Sequence, residues 1–147
     1  MRKALLISLV LVGCRTVPVG MTSAASVGAG APRGAVEQML VAAQQQDLQA
    51  IAAVWGDERG LTRERLDRNE LESRTFIMAC VLRHETRKLG DPQPAANGRV
   101  FITAELKQGA NTGEARFIAA RTGAGRWLVS DVDLPALQNK GFCTRPG

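Results

Sequence analysis

Near Leu89 the spacing of apolar residues changes from three-or-four to two, a switch that commits the chain to helices first and a sheet second. From Ala35 onward, Val36, Met39, Leu40 and Ala43 fall on one helical face. The series resumes as Leu48, Ile51, Ala52 and Trp55 after the polar stretch Gln44-Gln45-Gln46-Asp47, giving two helices or one helix with a break. Asp47 suits the N-cap of the second segment, and Gly56 or Gly60 suits its end. Asn69 with Glu72 has the spacing of a capping box. Phe76, Ile77, Cys80 and Val81 then read as the apolar face of a third helix ending near His84.

Beyond Leu89, Val100, Ile102, Ala104 and Leu106 alternate with Phe101, Thr103, Glu105 and Lys107, which is strand spacing. Glu114 to Arg121 and Arg126 to Leu134 are two further strands, joined through the Gly- and Asn-bearing loops 109–113 and 122–125. Residues 84–90 are a candidate first strand, and 91–98, with Pro92, Pro94 and Gly98, the loop after it. The expectation is a single α+β domain over residues 34–147, with three N-terminal helices packed on an antiparallel sheet of three to four strands.

The N-terminus is of another kind. Arg2 and Lys3 precede an apolar run, Ala4 to Val12, of about nine residues, far short of the roughly twenty that span a bilayer. Leu11-Val12-Gly13-Cys14 resembles the lipobox of bacterial lipoproteins. The resemblance implies a signal peptide over 1–13, lipidation of Cys14, and a membrane as partner through that anchor. The domain would then lie in the periplasm or another extracytoplasmic space. Arg15 in place of an Asp favours the outer membrane if the cell has one. Two alternatives stay open: an ordinary secretory signal cut after Ala25, and a wrongly assigned start, since the apolar run is short even for a lipoprotein signal. Residues 14–33, rich in small residues, Gly and Pro, read as the lipidated cysteine and a flexible tether reaching about 25 Å.

Charge narrows the partners. Loss of residues 1–13 removes Arg2 and Lys3 and no acid, so the net charge falls from +5 to +3. The remaining basic residues are interleaved with acids, and the sequence has no Tyr. A nucleic-acid surface needs clustered cations and stacking rings, so that class is set aside.

Ala43-Gln44-Gln45-Gln46-Asp47-Leu48-Gln49-Ala50-Ile51 with Trp55, and Gly125-Arg126-Trp127-Leu128-Val129-Ser130-Asp131-Val132-Asp133, resemble the opening and close of nuclear transport factor two-like (SnoaL-like) domains. That resemblance implies a cone-like fold in which a curved sheet wraps a long helix. The family includes isomerases, cyclases, hydrolases and many proteins without a reaction, so function has to come from the site.

On a regular strand Asp131 and Asp133 would share a face with Trp127 and Val129, making Trp127, Asp131 and Asp133 a candidate pocket. A carboxylate raised in pKa by such a pocket could act as a base, whereas exposed acids would be ordinary surface groups. His84 is the sole histidine, with neither a second His for a metal nor a Gly-x-Ser-x-Gly elbow for a triad, so it reads as structural. No catalytic residue, metal site or cofactor is assigned. Three functions stay open: a non-catalytic lipoprotein domain that is structural or binds a small apolar ligand; an acid–base isomerase using Asp131 or Asp133; and a subunit that forms homodimers through the sheet face, marked by exposed Phe101 or Ile118. With Cys14 lipidated, Cys80 and Cys143 remain as a disulfide pair fixing a tail, 138–143, of little apolar content. The competing expectation is a buried free Cys80 and an unpaired Cys143.

Overall fold

A computed structural model describes residues 27–144. Four α-helices, α1 (Pro32–Gln44), α2 (Leu48–Ala52), α3 (Arg68–Leu82) and α4 (Leu134–Gln138), accompany seven strands. These are β1 (Gly56–Asp57), β2 (Gly60–Leu61), β3 (Thr86–Leu89), β4 (Gln93–Pro94), β5 (Val100–Gln108), β6 (Asn111–Arg121) and β7 (Trp127–Val132). β1 and β2 form a small ribbon; the other five strands make one antiparallel sheet in the order β3-β5-β6-β7, with β4 also paired to β5. The protein is α+β, with one helix more than expected and a sheet of five strands.

Local chemistry sets the helix ends. Asp47 caps α2 by accepting from the Ala50 amide at 2.9 Å, and the break before it is made by Gln46 at φ +57. The Gln46 side chain donates to the carbonyls of Ala43 at 2.6 Å and Ala79 at 2.7 Å, tying the end of α1 to α3. α2 stops at Ala52, before either glycine, and Gly56 and Gly60 belong to the β1–β2 ribbon. The cap of α3 is Asp67 and not Asn69: its Oδ1 accepts from the amides of Asn69 and Glu70, both at 3.0 Å. The helix ends at Leu82, two residues before His84.

The expected faces of α1 and β5 are the buried ones. Val36, Met39, Leu40 and Ala43, with Ile102, Ala104 and Leu106, are all fully buried, and Phe117 and Ala119 of β6 and Val129 of β7 complete the layer between helices and sheet. The face of α3 differs. Met78, Ala79, Val81 and Leu82 are buried, whereas Phe76 is 65% and Ile77 45% exposed. Residues 75–82 are apolar almost throughout, so periodicity does not select a side. The side chosen is the one whose small Ala79 permits close packing and whose Thr75 satisfies its hydroxyl on the Leu71 carbonyl at 2.8 Å.

Both ends of the domain are more firmly placed than their composition suggests. Ala29 exchanges two backbone hydrogen bonds with Trp127, at 2.9 and 2.8 Å, so residues 28 and 29 of the stretch read as tether are docked against the edge of β7, and its last two residues, Pro32 and Arg33, already open α1. At the other end, β7 stops at Val132, and Asp133 caps α4 through the Ala136 amide at 3.2 Å. The strand expected to reach Leu134 is cut short by this cap and by Pro135 in the first turn.

Candidate functional site

Cys14 lies outside the described residues. Cys80 and Cys143 are joined by a disulfide with Cα atoms 5.2 Å apart. Gln108 at the end of β5 organises the backbone around this link, donating to the carbonyls of Cys80 at 3.1 Å and Arg83 at 2.7 Å and accepting from the Cys143 amide at 2.8 Å. Carbonyls at the end of a helix lack partners within it, so the Gln108 amide group serves to cap the C-terminus of α3.

The three residues of the expected pocket do not come together. Between Ile118 and Ala119 the register of β6 against β7 shifts, so that Ala119 faces Val129 while Ile118 faces Asp131. Ser130 is the extra residue, and its hydroxyl donates to the Ile118 carbonyl at 3.1 Å. A bulge reverses the alternation, so Val129 points into the core and Asp131 to the opposite face. Asp131 and Asp133 line an open depression of about 720 Å³ with Glu114, Arg116, Thr103 and Pro135, and Trp127 is not part of it. Both acids are exposed, and Asp133 is committed to capping α4. Neither carboxylate is enclosed by apolar groups, the arrangement by which burial raises a carboxyl pKa.

A second depression, of about 300 Å³, opens between α3, β7 and α4. Its walls are Trp55, Ile77, Met78, Val132 and Leu134, with Arg74 and Asp131 contributing charge. Of these, only Asp131 is a pocket residue expected from sequence. Trp55 stands here because the segment leaving α2 pairs alongside β7: the Val129 amide donates to the Val54 carbonyl at 2.9 Å, and Trp55 bridges Val129. Leu134 stands here because α4 turns the backbone away beside the end of β7. Neither placement leaves a periodic signal, although Asp133-Leu134-Pro135 has the cap-then-proline form of a helix start.

His84 is 4% exposed. Its Nδ1–H donates to the Leu82 carbonyl at 2.7 Å, leaving Nε2 to face Arg87, whose Nη1 lies 3.4 Å away. Arg87 in turn pairs with Glu37 of α1 at 3.0 Å. Burial holds the imidazole pKa below its ordinary 6.5, and Arg87 adds to that, while the Leu82 carbonyl, Glu85 and Glu37 oppose it less strongly. The neutral ring is therefore a structural link between α3, β3 and α1. Its pKa is lowered on folding, so its contribution is complete above 6.5 and is lost as pH falls towards the folded value. We expect unfolding free energy to be level between about pH 6.5 and 8 and to decline below it, before most carboxylates titrate at about pH 4. Urea denaturation of wild type and His84→Gln checks this; a decline of equal slope in both proteins assigns it elsewhere.

Among the described residues no group of three or more His, Cys, Asp or Glu side chains is placed to hold a metal ion, and no helix is long and apolar enough to cross a membrane. No family model, curated protein or solved structure matches the sequence.

Proposed function

We propose that this is a lipid-anchored, extracytoplasmic binding protein, held by Cys14 and carrying a small apolar ligand in the groove walled by Trp55, Ile77, Met78, Val132 and Leu134. The groove carries the ligand reading: an apolar depression with Arg74 and Asp131 among its lining residues matches the usual make-up of a small-molecule site, mostly hydrophobic with few polar groups to fix orientation. Its volume sits at the low end for such sites, which suits a single ring or a short aliphatic tail. The Cys80–Cys143 link supports export, since structural disulfides persist in oxidising compartments. A sheet with helices on one face and an aromatic at the groove is consistent with a nuclear transport factor two-like cone, and that kinship is part of the proposal.

Two measurements test it. Labelling with a fatty-acid analogue should mark the wild type and not Cys14→Ala, which should leave the membrane fraction; unchanged label and location would remove the anchor. Trp127→Phe leaves Trp55 as the sole Trp fluorophore, and titration with an apolar dye or a medium-length fatty acid should shift its emission with saturation. Ile77→Asp should weaken that binding by at least about tenfold. Absence of saturable change in Trp55 emission, or equal affinity in Ile77→Asp, would remove the groove.

A further inference from the structure

We propose that α3 forms the interface of a two-fold homodimer, packing antiparallel against α3 of a second copy, independently of whether the groove holds a ligand. Phe76 is the most exposed large apolar side chain among the described residues, on a helix whose opposite face is already committed to the core. At 100° per residue, Glu72, Phe76 and Arg83 lie within about 40° of one another around the axis, forming one stripe. Glu72 and Arg83 are both exposed, and neither has an ion-pair partner among the described residues. Glu72 lies in α3 and Arg83 is its C-cap, about 16 Å further along the axis at 1.5 Å per residue, so a single copy does not join them.

A second copy running antiparallel joins them twice. Setting Glu72 of each copy opposite Arg83 of the other places the two-fold axis midway between them, at the height of residues 77 and 78 along the helix. Phe76 then lies about 2 Å along the helix from that axis. Each Phe76 ring would sit against Phe76 of the other copy, with the short side chain of Ser73 giving it room, while Cys80, joined to Cys143, borders the stripe on the side of the tail. The stripe thus has an apolar centre and a charge at each end whose signs fit their own reversed image, the self-complementarity that an isologous interface requires. A parallel arrangement would oppose like charges.

The sheet face is less apolar than its sequence suggests and makes a poorer dimer surface. Phe101 is half-buried beneath the guanidinium of Arg116, 4.6 Å from the ring centroid, and Ile118 is half-buried as well. Ile77 lies about 100° around α3 from Phe76, so the groove remains open on this dimer.

Sedimentation equilibrium of the mature protein in a mild detergent, at low ionic strength and up to about 100 µM, reads the association directly. Phe76→Asp should leave the protein monomeric across that range. Glu72→Arg and Arg83→Glu should each weaken association about 5- to 20-fold, and the double variant should recover to within about threefold of wild type, because reversing both signs restores the pairs. All three are surface changes, and circular dichroism verifies that each variant is folded. A wild type that is monomeric throughout overturns the proposal, as does a dimer that survives Phe76→Asp but is lost in Ile118→Asp, or a double variant as weak as the single ones.

Discussion

Replacing Cys80 and Cys143 together by alanine should lower the unfolding free energy by about 4 kcal/mol, the largest effect expected of any change outside the hydrophobic core. The link closes a segment with a sequence separation of 63 residues, and restricting a loop of that length in the unfolded state contributes roughly 4 kcal/mol. Total stability of a domain of this size is typically about 5–15 kcal/mol, so the loss is a large fraction of it and corresponds to a fall in melting temperature of roughly 15 °C. Because the effect acts chiefly on the unfolded state, a second signature follows. That state is more expanded in the variant, and its urea m-value should exceed that of the oxidised wild type. A loss below about 1 kcal/mol, or the same m-value in both, would place the stabilisation elsewhere.

The helices and strands were legible where period and packing agree. Val36, Met39, Leu40 and Ala43 share one helical face, and Ile102, Ala104 and Leu106 occupy alternate positions along β5, so burial follows from spacing in both. The cysteine pair was legible by count on the expectation that Cys14 is lipidated, and Cys80 and Cys143 are joined. The candidate site was not. Its walls come from the end of the second helix, the third helix, the last strand and the fourth helix, and each reached its place through an event that leaves no periodic trace. At Ser130 one extra residue reverses the facing of Asp131, and a bulge of this kind is fixed by pairing with β6 and not by its own sequence. On α3, the unbroken apolar run Phe76-Ile77-Met78-Ala79 offers two faces, and tertiary packing selects the one with Ala79. At Asp133 a single acid before Leu-Pro ends a strand and starts a helix in one step.

Phe142→Ala should cost about 3–5 kcal/mol even with the disulfide intact. The tail expected to have little apolar content to hold it contains one of the most buried aromatics among the described residues: Phe142 is 1% exposed and belongs to the main core cluster together with Leu137, which is fully buried. Gly113 of β6 makes the space for both, since a Cβ there would approach Leu137 Cδ2 to 3.1 Å and Phe142 Cε2 to 3.2 Å. Asn111 holds the preceding turn by donating to the Gly141 carbonyl at 3.0 Å. Truncating the ring removes its transfer free energy and leaves a cavity that the crosslinked backbone at Cys143 is poorly able to close, because the disulfide and the Gln108 bond fix the neighbouring backbone. Phe142→Leu keeps most of the volume and should cost less than about 1.5 kcal/mol. Urea denaturation of both variants distinguishes burial from crosslinking as the hold on this tail. If Phe142→Ala costs under about 1 kcal/mol, the ring contributes little and the disulfide alone secures the segment.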